Sequence, residues 1–162
     1  MSANTSLAQD QATVLKVWAA VGGTKQALTN GSDDVSSWKG ITVRNGRVVW
    51  IGKLSELTFL GLWDNALSGE IPKEIGNCKK LLKCYLNGNK LNGAVPKEIG
   101  NCKKLTHLYL YDNNLSGVIP KEIGNCTALT DISLRTNKLS GVIPKEIGNC
   151  TALTNLYLSQ NQ

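Results

Sequence analysis

LTHLYLYDNNLSGVIPKEIGNCTA, residues 105–128, decides how the rest of this chain is read. Leu105, Leu108 and Leu110 lead into Asn113, Leu115, Gly117, Pro120 and then KEIGNC, and the same order recurs at a step of 24 residues in both directions. Leu57, Leu81, Leu105, Leu129 and Leu153 align, and so do Asn65, Asn89, Asn113, Asn137 and Asn161. Leu67, Leu91, Leu115 and Leu139 form another column, followed by Gly69, Gly93, Gly117 and Gly141. All four prolines of the 162-residue chain, Pro72, Pro96, Pro120 and Pro144, share one column, each followed by KEIGN. A fixed period of this length is the signature of a repeat solenoid, in which each coil buries its apolar edge against its neighbours.

Each column has a physical task. In LxxLxL the last two leucines are two residues apart, so both face the same side of a strand. One strand cannot bury that side alone, but stacked copies build a continuous core. The asparagine suits the turn that follows, where its side chain bonds backbone groups, and stacked copies would form a ladder. The glycine admits backbone geometry or a close approach that larger residues resist. The proline ends the return segment and favours a short helical turn at KEIGN on the outer side. Cys78, Cys102, Cys126 and Cys150 share one position, held by Leu54 a period earlier, and Cys84 replaces a strand leucine. These thiols read as small buried hydrophobes, with metal binding or redox switching as the alternative.

The first part of the chain departs from the period. Residues 1–53 read as an N-terminal cap of a helix and a β-hairpin, and residues 54–162 as 24-residue repeats, the last incomplete. Ser6 and Gln9 make a capping-box pattern, Val14, Val17, Trp18 and Val21 lie on one helical face, and Gly22–Gly23 ends the helix. Ile41 and Val43, the turn Asn45–Gly46, then Val48 and Trp50 describe the hairpin. Trp18, Trp38 and Trp50 are expected to cover the end of the core. IGKLSEL at 51–57 aligns with IGNCKKL at 75–81, so the cap runs into the repeats without a linker.

Composition excludes several classes. With 41% hydrophobic and 19% charged residues the chain is neither disordered in character nor membrane-like. No apolar run approaches the roughly 18 to 20 residues a bilayer span requires, and MSANTSLAQDQ lacks the cationic and apolar regions of a secretory signal. A formal charge of +6 permits weak attraction to anionic partners. The five cysteines are an odd number with no CxxC pair, against both a disulfide framework and a zinc site.

The pattern LxxLxLxxNxLSGxIPKEIGN resembles the plant-type leucine-rich repeat of plant receptor kinases and polygalacturonase inhibitors, also found in algae, protists and bacteria. WAAVGG through SSWKGITVRNGRVVWI is similar to the cap of such proteins, written WxGVTxxxxGRV. The resemblance implies an α/β repeat solenoid: a right-handed superhelix with a concave parallel sheet, convex 3₁₀ turns and short extra strands beside LSGxIP. Secreted members carry a cysteine pair around the cap tryptophan, where this chain has Ser36 and Val43. That departure, with no signal in view, suggests a cytoplasmic setting and intracellular algal, protist or bacterial relatives as the closer comparison.

The non-leucine positions of the strand segment would project to the concave surface in three columns: Phe59, Lys83, His107, Asp131, Asn155; Gly61, Tyr85, Tyr109, Ser133, Tyr157; Trp63, Asn87, Tyr111, Arg135, Ser159. The scaffold columns barely vary, whereas these change at nearly every step. Trp63, Tyr85, Tyr109, Tyr111 and Tyr157 are expected to lie exposed there as interface anchors. Lys83, Asp112, Asp131 and Arg135 would set the charge preference, with His107 as a further contact residue. Together these ten form the candidate partner-binding set, for a protein or peptide.

Chemistry points away from catalysis. There is no HExxH, GxSxG or Walker loop, His107 is the one histidine, and each PKE carboxylate follows a lysine in a self-compensating ladder. We expect no enzyme, cofactor or metal. Lys79, Lys80, Lys83, Lys103 and Lys104 make a basic cluster, but Thr127–Ala128 and Thr151–Ala152 replace the lysine pairs in later repeats, so nucleic acid is the weaker expectation. A spacer role within a longer repeat array is the main alternative. The chain stops at Gln162, ten residues into a repeat, and the reading expects that end to continue or to pack on another molecule.

Overall fold

The computed structural model describes residues 57–162 and the backbone of residues 41–44 and 47–51. The expected N-terminal helix, the 45–46 turn and the burial of Trp18, Trp38 and Trp50 lie outside the described residues. The two hairpin strands are present: β1 (Ile41–Arg44) pairs antiparallel with β2 (Arg47–Ile51), with an irregularity between Thr42 and Val43.

From there each 24-residue coil makes two strands and a 3₁₀ turn. The LxL segments give β3 (Phe59–Gly61), β5 (Lys83–Tyr85), β7 (His107–Tyr109), β9 (Asp131–Ser133) and β11 (Asn155–Tyr157). They pair in sequence order, parallel and in register, as one five-stranded sheet. The LSG segments give β4 (Ser68–Glu70), β6 (Lys90–Gly93), β8 (Asn114–Gly117) and β10 (Lys138–Leu139), which extend the hairpin into a six-stranded sheet. Gly69, Gly93, Gly117 and Gly141 all have positive φ, the left-handed geometry for which that column holds glycine. Each proline sits extended before KEIGN, and the 3₁₀ turns Lys73–Asn77, Lys97–Asn101, Lys121–Asn125 and Lys145–Asn149 follow, closed by an Ile amide donating to the proline carbonyl. The solenoid read from the repeat is the observed architecture.

The core runs between the sheets and the 3₁₀ turns. Leu60, Cys84, Leu108 and Ile132 fill one column at 1% exposure or less, and Leu81, Leu105 and Leu129 fill the next. Fully burying each such side chain stabilises the fold by roughly 1.5 to 3 kcal/mol. All five cysteines are free and buried. Toward the C-terminal end the packing opens: Leu156, aligned with Leu108, is 37% exposed, and Ile143, aligned with Val95 (4%), is 58% exposed.

The asparagines do more than close their own turns. Asn89 Nδ2 donates to the carbonyls of Leu86 and Asn87, and also to Leu62 of the preceding coil at 2.8 Å. Its Oδ1 accepts the Leu67 amide at 3.0 Å. Asn113, Asn137 and Asn161 repeat the pattern. The ladder joins coil to coil through groups that would otherwise be buried without partners.

Candidate binding face

Strand alternation sends Leu60, Cys84, Leu108 and Ile132 inward and leaves the residues on either side of them on the outer face of the five-stranded sheet. In-register pairing aligns Phe59, Lys83, His107, Asp131 and Asn155 across β3 to β11, and Gly61, Tyr85, Tyr109, Ser133 and Tyr157 beside them.

The rings on this face touch one another. Tyr85 and Tyr109 stack with centroids 4.7 Å apart and planes 9° from parallel. Phe59 meets Tyr85 edge-on at 5.4 Å, and Trp63 meets Tyr85 edge-on at 6.0 Å. His107 lies edge-on to both stacked tyrosines, Tyr109 approaches Tyr111 at 6.2 Å, and the Arg135 guanidinium sits 4.7 Å over the Tyr111 ring. Offset and edge-to-face pairs of this kind each add about 0.5 to 1.5 kcal/mol beyond burial.

This packing corrects the expectation of an exposed aromatic set. Trp63, Tyr85, Tyr109 and Tyr111 are half-buried because neighbouring rings cover them, while Tyr157 is 51% exposed. Gly61, Asn87 and Ser133 are buried rather than displayed. Ser133 separates Tyr157 from Tyr109 in the register, and among the described residues Tyr157 makes no ring contact. Asp112 stands apart from the network, exposed in the turn after β7 at φ 53°, a position that Asp64 holds two coils earlier and Gly88 one coil earlier.

Phe59 belongs to the ring network although the candidate set omits it. Gly61 makes room for it: a Cβ there would lie 2.5 Å from Trp63 and 2.8 Å from Phe59. A glycine in a column of tyrosines flanked by Phe59 and Trp63 was the available signal.

The polar part of the face is ordered too. His107 Nε2 lies 3.7 Å from Asp131 Oδ2, and His107 Nδ1 is 2.9 Å from Thr106 Oγ1. Asn155 donates to Asp131 Oδ1 at 2.6 Å. Side-chain hydrogen bonding from Thr130, then Asn155, with the facing His107, holds the Asp131 carboxyl below its ordinary value. Burial first, then neighbouring tyrosine and Asp131 charge, pushes the Tyr85 and Tyr109 hydroxyls above their ordinary value. Lys83 is exposed and in register with His107. No group of three or more His, Cys, Asp or Glu side chains among the described residues is placed to hold a metal. No helix among them is long and apolar enough to cross a membrane.

Residues 42–162 match a family model described as leucine-rich repeat region. Among solved structures, the chain is similar to the ectodomain of the plant membrane receptor kinase GASSHO1/SCHENGEN3 from Arabidopsis thaliana in complex with CASPARIAN STRIP INTEGRITY FACTOR 2. That match has 45% identity and a TM-score of 0.65 over 66% of this chain and 13% of that one. The BIR3–SERK2 complex of the same plant matches at 39% identity and TM-score 0.55, over 62% of this chain and 53% of that one. A plant ice-binding protein matches at 28% identity and TM-score 0.69, over 94% of this chain and 56% of that one. The chain thus spans between about an eighth and just over half the length of these structures. No curated protein matches the sequence.

Proposed function

This chain belongs to the leucine-rich-repeat family, and we propose that it is a non-catalytic module that captures a protein or peptide reversibly on the concave face of its five-stranded sheet. The observation that carries this reading is the contiguous ring network from Phe59 to Tyr111, ending under Arg135. Half-buried rings already fixed by their neighbours lose little freedom when a partner covers them, which is what interface anchors require. Two of the similar structures are complexes, one of a receptor ectodomain with a named factor and one of two named proteins, which supports the same use of the fold. Among the candidate residues, Trp63, Tyr85, Tyr109 and Tyr111 are the anchors, and Lys83, His107, Asp131 and Arg135 select charge. Asp112 and Tyr157 sit at the margins. The five free, buried thiols accord with a reducing, cytoplasmic setting.

Selection from a displayed random peptide library, followed by binding to Tyr109→Ala/Tyr111→Ala, tests the reading. Selected peptides should lose at least tenfold in affinity, roughly 1.4 kcal/mol, while the double variant keeps a cooperative melt a few degrees lower. Undiminished binding by that variant would overturn it.

A second reading rests on the plant ice-binding protein, which matches 94% of this chain. An ice-binding role would appear as thermal hysteresis in purified protein, and freezing at the melting point removes it.

A further inference from the structure

The strands of the five-stranded sheet are entered through short turns, and two adjacent turns are unlike the rest. Lys79–Lys80 leads into β5 and Lys103–Lys104 into β7, and all four side chains are exposed. Stacked coils lie about 4.8 Å apart, so the four ammonium groups crowd one edge of the sheet, joined by exposed Lys83 on the face itself. Among the described residues none of Lys79, Lys83, Lys103 and Lys104 forms an ion pair. Lys79, Lys83, Lys103 and Lys104 therefore present like charge side by side, which a negatively charged partner can meet.

A second feature marks the same spot. The residue before each strand is threonine at 58, 106, 130 and 154 but leucine at 82. Thr106, Thr130 and Thr154 each donate a hydroxyl to the carbonyl of the preceding coil, at 2.9 to 3.0 Å. Leu82 cannot make that bond, and its side chain is 39% exposed between the lysines. The fold gives up a hydrogen bond here and displays an apolar group instead. Position 82 therefore departs from the scaffold rule where the positive charge is densest.

Resting on the peptide-binding reading above, we propose that the partner segment is acidic and apolar together. One of its apolar side chains covers Leu82, its carboxylates meet Lys79, Lys83, Lys103 and Lys104, and its remainder crosses the tyrosine stack. A polynucleotide fits less well. The lysine pairs stop after two coils, and a long polyanion continuing across the sheet would meet Asp131, Asp64 and Asp112.

Peptides selected from a random displayed library against the full chain supply the probe. The proposal expects them to be enriched in Asp and Glu beside an apolar residue and to weaken as salt rises. Lys79→Ala/Lys103→Ala/Lys104→Ala should reduce affinity about tenfold with an unchanged melting temperature. Leu82→Thr should weaken the peptide severalfold while holding or raising the melting temperature, because the threonine restores the missing hydroxyl bond. A merely structural leucine would show no such split. Peptides without acidic bias, insensitive to the lysines yet lost on Tyr109→Ala/Tyr111→Ala, would overturn this proposal and leave the face reading standing. Acidic peptides that need the lysines but ignore the tyrosines would support the lysine edge and overturn the face reading. An oligothymidylate that outcompetes them, with a steep salt dependence, would overturn the peptide assignment.

Discussion

At Cys102 the side chain is fully buried, and its thiol donates to the Ile75 carbonyl of the preceding coil over 3.3 Å. Cys126 does the same toward Ile99. Burial first of all pushes the Cys102 thiol up to about 11, with the Lys79 charge drawing it partly back, and pushes Cys78 and Cys126 up to about 12. Cys84 and Cys150 are raised as well. The unfolded thiols ionise near their ordinary value of 9.0, so the unfolded chain loses protons first as pH rises. This contribution to stability is whole below about pH 9 and declines as pH climbs toward the raised folded values. We therefore expect the denaturant midpoint to hold from neutral pH to about 9 and to fall steadily above it. In native protein at about pH 8 a thiol reagent should label Cys78, Cys84, Cys102 and Cys126 at least a hundredfold more slowly than in denaturant. Rapid native labelling at these sites would contradict the buried column. The apolar character of the column was legible because Leu54 shares it. The carbonyl that each thiol reaches was not, since it lies 27 residues away. Asn89 shows the same limit: its turn role follows from residue type, but its bond to Leu62 exists only once a coil lies beneath it.

The element that repeats most faithfully, KEIGN, is also the one whose copies the sequence cannot rank. Four identical segments form four 3₁₀ turns, yet the space around their glycines differs. A Cβ on Gly124 would lie 2.1 Å from the Glu146 carbonyl oxygen, and one on Gly100 would lie 2.2 Å from that of Glu122. Backbone of the next coil occupies the place, so relief requires the coils to part. Nothing lies within 4 Å of the same point on Gly148. Gly124→Ala should then cost about 1 to 3 kcal/mol through overpacking. Gly148→Ala should stay within about 0.5 kcal/mol of the parent. Equal losses in chemical denaturation would mean that the turns do not stack as closely as the structure has them. On the strand side, the alternation that buries Leu108 and Ile132 was readable from spacing alone. The half-burial of Tyr85, Tyr109 and Tyr111 was not, because rings on neighbouring strands shield one another only after the register is set.

Among the described residues, packing between elements runs from each coil to the next, so stability approximates a sum of coil and interface contributions and need not be uniform. The central coils have neighbours on both sides: Leu108, Ile132, Leu105 and Leu129 are completely buried. The last coil, which holds β11, stacks on one neighbour here, and its Leu156 and Tyr157 are 37% and 51% exposed. Its amides still pair, with Thr154 and Asn155 donating to the Thr130 carbonyl and Gln162 to Leu139. Those bonds can open without disturbing β5 to β9. Native-state hydrogen exchange should accordingly be slowest at Leu86, Leu108 and Leu110, by a global route, because Leu86 and Leu110 donate to Tyr109 and Ser133 of central coils. Amides of 154–162 should exchange at least a hundredfold faster by local opening, a difference of about 2.7 kcal/mol. Leu108→Ala should lower the protection of the whole set by about 2 to 5 kcal/mol, whereas Leu156→Ala should change only the last coil. If both variants shifted every amide alike, the solenoid would be unfolding as one indivisible unit. The binding face would then inherit its rigidity from all coils at once rather than from the stacked tyrosines of the central ones.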